Sequence, residues 1–496
     1  MRNKDRNIGR RSVLGAAGAL GAGAMVGETA LADRASADTN GESISAASSV
    51  EELLAQATEK FPGGVVSVYA KEVGEEGDVL ASHEADKAVK PASNAKLLAA
   101  GLALEHLGPD HRFTTTVTGE GETTGTQFHG DLVIRGTGAV LTRDDLTTLA
   151  ENVADRDINA VHGDVVADIT AFDTSGYGPV FSVRGPGYPE GWTWEDPQYS
   201  YGAPSSSLAL HWNKVLLTAE RTDDEISLTV EPDSEYVTVE SHLSKASADD
   251  TGYFYTYLDR VNDTIYAIGE LTPGYEATDL APVMRPDEHA AAAFADALED
   301  AGVTVKGEID LRTASTDAET AFDATIESAP IRESIGPMLK NSNNVVADQL
   351  ALATARRATG DGSFDAWTEL AASYFEGLGA DTTVFRDGSG LSQFNLISAR
   401  TVVSLLEWVR KKPWADDFFE SLATPGEGTL AYRLGDVDVP VQAKTGTVRG
   451  TRALSGVIRR PDRSDVVFST LMSNLTVGIG DARDYQDALV KVLVGA

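Results

Sequence analysis

The pattern of apolar and polar positions changes character twice along this chain. Near the start, Ser49 is placed to cap a helix from Glu51 to about Lys60, and Gly64–Ala70 reads as a strand. Pro91-Ala92 then leads into an Ala/Leu-rich helix over about Ser93–Leu107, stopped by Gly108-Pro109. From about Phe113 the helical period gives way to short Thr-, Val- and Gly-rich segments between turn signals. Thr114–Thr118, Asp131–Arg135, Val165–Ile169, Leu208–Thr218, Ile226–Val230 and Val237–Val239 are predicted strands, with helices at Arg143–Asp155 and Asp287–Ala301. After about Arg312 the helical period returns at Ile331–Leu339, Val345–Ala358, Phe364–Leu378 and Ala399–Lys411. Strands at Val439–Lys444, Ala453–Arg459 and Asp465–Ser473 follow, and then a closing helix from about Asp481. No fixed-period repeat is present. The order predicts one α+β domain, split by an inserted β-rich module of one or two small domains.

The 496 residues exceed one ordinary core, so two or three domains are expected, and 42% apolar residues suffice for a globular fold. A formal net charge of -35 argues against a nucleic-acid partner, since phosphate would be repelled. The acidic residues are dispersed, as in Glu75-Glu76-Gly77-Asp78, Asp223-Asp224-Glu225 and Asp416-Asp417, which describes a solvated acidic surface. Such a surface repels itself until salt screens it, and at about 1 M salt the Debye length is only about 3 Å, so a salt-rich, halophilic setting is expected.

The N-terminus reads as an export signal over residues 1–37. Arg10-Arg11-Ser12-Val13-Leu14 is a twin-arginine pattern, followed by the small-residue apolar stretch Gly15–Gly27 and two cleavage candidates, Ala30-Leu31-Ala32 and Ala35-Ser36-Ala37. The stretch is too short to span a membrane, although an uncleaved anchor is the alternative. Residues 38–47 read as a linker. There is no cysteine, which removes disulfides, a thiolate nucleophile and a lipidated cysteine.

Three short strings bear chemistry. Ser93-Asn94-Ala95-Lys96 is the only place where a lysine follows a serine by three residues. On a helix these positions share a face, and a serine in the first turn lies at the positive end of the helix dipole. Lys96 acts as a base only once it loses its proton, which burial beside another cation would favour. Ser342-Asn343-Asn344 sits between two apolar helices. There Ser342 can relay a proton between Lys96 and a leaving amine, and Asn344 can hold Lys96 and a substrate amide; an ordinary helix-cap loop is the plain alternative. Lys444-Thr445-Gly446-Thr447 closes the short predicted strand Val439–Ala443. It offers a positive charge, two hydroxyls for a carboxylate, and a glycine that lets another backbone approach. Asp387-Gly388-Ser389-Gly390-Leu391-Ser392 reads as a turn rather than a nucleophile elbow, because Asp387 stands where G-x-S-x-G needs its first glycine. All eight histidines lie at or before His289, away from the second and third strings, which weakens a Ser-His-Asp mechanism and any His-rich metal site. No cofactor is expected.

Taken together, S-x-x-K, S-x-N and K-T-G in this order resemble the signature of serine acyl-transfer enzymes acting on D-alanyl peptides or β-lactams. The gap of about 250 residues between Ser93 and Ser342 narrows the resemblance. So do the Asp387–Ser392 string and the strings Trp192-Thr193-Trp194-Glu195-Asp196 and Tyr201-Gly202-Ala203-Pro204. The chain is similar over about residues 48–496 to the D-alanyl-D-alanine carboxypeptidase/endopeptidase family of low-molecular-mass penicillin-binding proteins with a large insertion.

That resemblance implies a serine DD-peptidase, β-lactamase-like transpeptidase domain in two parts, 48–112 and 313–496, around inserted β-rich domains at 113–312. It implies Ser93 as nucleophile, Lys96 as general base and Ser342 as proton relay, with Asn344, Lys444, Thr445, Gly446 and Thr447 binding substrate. The N–H groups of Ser93 and Thr447 would form the oxyanion hole. The implied partners are D-Ala-D-Ala peptides or peptidoglycan, with β-lactams as inhibitors, at an extracellular or periplasm-like location. The second string has Asn343 where relatives often have Asp. Alternatives on the same scaffold are a β-lactamase, an esterase or a D-aminopeptidase. From a different class, the alternative is a non-catalytic envelope-binding protein.

Overall fold

The computed structural model describes residues 49–74, 76–172, 188–222, 225–314, 318–377, 380, 382–476 and 479–496. The export signal and linker expected over residues 1–47 lie outside them.

One five-stranded sheet organises both ends of the chain. Its order is Val441–Val448, Thr451–Ile458, Val466–Ser473, Val65–Glu72, Val79–His83, antiparallel throughout. Thr451–Ile458 and Val466–Ser473 are buried at every position, because helices cover both faces of the sheet. Alternate residues therefore serve two cores. Leu454, Phe468 and Met472 pack with Leu53, Tyr485 and Leu489 of the first and last helices, Val50–Lys60 and Ile479–Gly495, and with Phe61, which caps the first. The opposite side chains, Ala453, Val457, Val467 and Leu471, meet a helical layer in which Leu97, Leu98, Leu350, Trp367 and Val403 are buried. Full burial of a leucine-sized side chain stabilises by about 1.5–3 kcal/mol, so this double-sided core holds the two chain halves together.

The insert builds on Thr114–Thr124 and Gln127–Gly136, which pair antiparallel, with shorter parallel strands beside them. Helices Arg143–Ala154 and Pro286–Asp300 cover that sheet around Leu132, Ile134, Leu149 and Phe294. Two three-stranded sheets enclose a further core at Leu217, Phe254, Ile265 and Ala281.

The predicted strand Leu208–Thr218 is interrupted. Ala209–Leu210 and Lys214–Arg221 are strands, but His211, Trp212 and Asn213 between them have φ of 47°, 56° and 59°. Left-handed residues cannot continue a ladder; Asn213 instead donates its amide to the Pro204 carbonyl at 2.7 Å. Beyond Arg312, where the sequence pattern ends the insert, Thr320–Glu327 still pairs with Thr114–Thr124. Most of its positions are exposed, and only Phe322, Ala324 and Ile326 turn to the insert's core, an alternation too short to mark a strand by itself.

Candidate active site

The nucleophile candidate stands on a strained start. Ala92–Asn94 is a single 3-10 turn, and the α-helix runs from Ala95 to His106. Ala92, immediately before Ser93, has φ +46°, a conformation that L residues avoid and that collects at functional sites. Two elements press on this point. A Cβ on Gly390, itself at φ +86°, would run into the Ala92 carbonyl oxygen. A Cβ on Gly446 would lie 2.9 Å from the Pro91 oxygen and 3.1 Å from the Ala92 Cβ. Glycine lets the turn and the strand close on the Ser93 backbone.

Lys96 is completely buried, and its Nζ is where the strings meet. It donates to Ser93 Oγ at 3.1 Å, to Asn344 Oδ1 at 2.6 Å and to the Ser389 carbonyl at 2.6 Å. Asn344 opens the helix Asn344–Thr359, which Asn343 caps by accepting from Val346 N–H. The Asn344 amide is oriented from its other side, donating to the Tyr201 carbonyl at 2.8 Å. Ser342 closes the preceding helix at φ +66°, one residue from Asn343, and its half-exposed hydroxyl is bonded to no described residue.

Lys444 is also fully buried. Burial, and then the charge of Lys96, hold its ammonium well below the ordinary lysine range. Its Nζ donates to the Thr445 carbonyl at 2.9 Å. The K-T-G string lies within the strand Val441–Val448 rather than closing it, as the sequence pattern had suggested; Pro440 stops the strand on its other side. This strand is at the sheet edge. Ala443 N–H points outward to the Ala423 carbonyl. Alternation therefore turns the N–H and C=O of Thr445 and Thr447 to the same outer edge. The Thr445 and Thr447 side chains are half-exposed.

Sequence reasoning missed four contributors. Asp387, read as a turn residue in a string that carried the resemblance but given no role, accepts from Trp192 Nε1, Ser389 Oγ, Ser392 N–H, Gly390 N–H and Asn395 Nδ2 at 2.6–3.2 Å. Asp348 is buried beneath the same turn. Trp192 and the Tyr201 carbonyl come from the insert, which reaches the site through residues 188–203; Glu195 pairs there with Arg449 beyond the Lys444 strand at 3.0 Å. Asp348 had a usable signal: it falls four residues after Asn344, one turn along the same helix face. Among the described residues, no group of three or more His, Asp or Glu side chains is arranged to hold a metal, and no helix is long and apolar enough to cross a membrane.

The D-Ala-D-Ala carboxypeptidase 3 (S13) family matches residues 46–494. The chain belongs to this family. It is 34% identical over 424 residues to a D-alanyl-D-alanine carboxypeptidase of Actinomadura sp., covering 79% of this chain and 75% of the relative. A D-alanyl-D-alanine carboxypeptidase of Haemophilus influenzae is 25% identical over 450 residues, covering 88% and 91%. Among solved structures, penicillin binding protein 4 of Haemophilus influenzae superposes with a TM-score of 0.74 at 24% identity, covering 89% of this chain and 99% of that one. The α+β domain split by a β-rich insert is therefore the fold of this family. The chain is a serine-type D-Ala-D-Ala carboxypeptidase by family, as the three strings indicate.

Proposed function

We propose that the chain cleaves the terminal D-alanine from D-Ala-D-Ala peptides through an acyl-enzyme on Ser93, with DD-endopeptidase cleavage of cross-links as a second activity. The convergence of Ser93 Oγ, Asn344 Oδ1 and the Ser389 carbonyl on Lys96 Nζ carries this reading. Lys96 takes the Ser93 proton as Oγ attacks the carbonyl of the penultimate D-alanine. The proton passes by way of Ser342 to the leaving amine, the peptide C–N bond breaks, and water hydrolyses the resulting ester. Burial and the neighbouring charge of Lys96 disfavour two ammoniums side by side, which favours one neutral amine in the Lys96–Lys444 pair. The outward edge of Val441–Val448 can receive the substrate as an added strand. There Thr447 N–H, with Ser93 N–H, would hold the oxyanion, a contribution of about 2.7–4 kcal/mol per donor. Lys444, Thr445 and Thr447 would bind the terminal carboxylate, and Gly446 keeps the approach open. The same pocket would take β-lactams, whose opened ring leaves a stable ester on Ser93.

Two further readings belong to this proposal. The twin-arginine string and the absence of cysteine support export of a folded, disulfide-free enzyme to the cell-envelope side. The net charge of -35 supports work in a salt-rich medium. The catalytic domain would comprise 48–112 and 313–496, with 113–312 inserted, except that the strand Thr320–Glu327 joins the sheet of the insert.

Release of D-alanine from a diacylated tripeptide ending in D-Ala-D-Ala tests the activity. Wild type should release one D-alanine per peptide and Lys96→Met almost none. Rapid multiple turnover of penicillin with no D-alanine release would favour the β-lactamase reading instead.

A further inference from the structure

Asp348 belongs to none of the three strings, yet its carboxyl is one peptide away from the proposed base. It lies one helical turn after Asn344 and is 1% exposed. Its Oδ1 accepts the N–H of Gly388 and of Ser389, each at 2.8 Å. The carbonyl of that same Ser389 accepts from Lys96 Nζ at 2.6 Å. The turn is pinned from another side by Trp367 Nε1, which donates to the Asp387 carbonyl at 3.0 Å. A buried carboxyl thus fixes the peptide that fixes the lysine. Its second oxygen, Oδ2, is buried and takes no hydrogen bond among the described residues.

We infer that Asp348 is a positioning residue for acylation, holding the Ser389 carbonyl against Lys96 so that Nζ stays in line with Ser93 Oγ. This rests on the reading of Lys96 as the base. The role is that of a hydrogen-bond acceptor and not of a counter-charge. Burial, and then the neighbouring Asp387, push the Asp348 carboxyl well above the usual carboxylate range, while Lys96 and the two turn N–H groups pull the other way. Among the described residues, Lys444 from the edge strand and Asp348 from the helix interact electrostatically with Lys96, and Asp387 from the turn faces Asp348 in turn. Asparagine keeps the acceptor oxygen and lacks the charge. Leucine keeps the shape and lacks the acceptor.

The test is the first-order acylation constant of the full chain with benzylpenicillin, separated from the prior binding constant and followed across pH, beside thermal melts. Because the constant is first order, it is independent of any misfolded fraction. Asp348→Leu, or Asp348→Ala if the leucine variant does not fold, should acylate slower by on the order of 10²-fold with little change in the binding constant. Its acid limb should move to lower pH, because a carbonyl that accepts from the ammonium favours the protonated lysine. Asp348→Asn should recover most of the wild-type rate and pH profile. A merely structural Asp348 would lower the melting temperature and leave both the acylation constant and the acid limb in place, which overturns the inference. So does an asparagine variant slower than wild type by on the order of 10²-fold, whether or not the other two variants fold. Failure of the underlying reading looks different: Ser93→Ala would still take the drug, or Lys96→Met would acylate at the wild-type rate.

Discussion

Lys96 is held by several acceptors and has no room. With Nζ bonded to Ser93 Oγ, Asn344 Oδ1 and the Ser389 carbonyl, it has little freedom to leave the line of attack. Lys96→Met, which keeps the length of the chain and removes the amine, should leave the fold intact. It should slow acylation by on the order of 10²–10⁴-fold, read by stopped-flow quenching with a β-lactam. Gly390 is the steric counterpart. At φ +86° and hard against the Ala92 carbonyl, an added methyl must push on the backbone of the proposed nucleophile. Gly390→Ala should cost about 1–3 kcal/mol in denaturant unfolding and slow acylation as well, whereas a purely distant strain would touch stability alone. The residues proposed to carry the chemistry could be picked out from spacing, because S-x-x-K is a statement about one helix face. Asp387 was not legible: its string is also an ordinary turn, and only the fold brings Trp192 and Asn395 to its carboxylate.

At the scale of elements, the site is a meeting of a helix start, a helix-cap loop, a tight turn and a sheet edge. Asn343 shows how capping and chemistry share one loop. Its side chain accepts from Val346 N–H at 3.1 Å, and the next residue is the Asn344 that holds Lys96. Asn343→Ala should cost about 0.5–2 kcal/mol of stability by loss of the cap. It should also slow acylation by loosening Asn344, measured as a changed first-order constant rather than a changed binding constant. Helices such as Val50–Lys60, Arg143–Ala154, Asn344–Thr359 and Ala399–Arg410 could be read from period and caps because both signals agree there. The break at His211–Asn213 and the edge strand Thr320–Glu327 could not. The first depends on a tertiary bond to Pro204, and the second on pairing with a strand about 200 residues earlier.

At the scale of the whole molecule, charge and buried titration govern stability. A net charge of -35 repels itself most when the Debye length is about 30 Å, near 0.01 M salt, and hardly at all when it is about 3 Å, near 1 M. The melting temperature should therefore rise steeply with added salt; a flat dependence would remove the case for a salt-rich setting. In the insert, burial raises the Asp287 carboxyl to about 7, with Ser206 Oγ donating to it, and lowers His289 to about 4. Asp287 keeps a proton in the native state that the unfolded chain loses above about pH 4, so its contribution falls as pH rises from about 4 to 7. His289 runs oppositely, its contribution growing between about 4 and 6.5. Asp287→Asn should therefore gain stability relative to wild type between pH 4 and 7, seen as a widening difference in melting temperature.

Mass spectrometry of the purified chain after incubation with benzylpenicillin at high salt, beside Ser93→Ala, tests the central claim most directly. One penicilloyl adduct on wild type, absent from the variant, is the predicted result and places the activated nucleophile at Ser93. No adduct on folded wild type with the drug intact, or an adduct on Ser93→Ala, would contradict it.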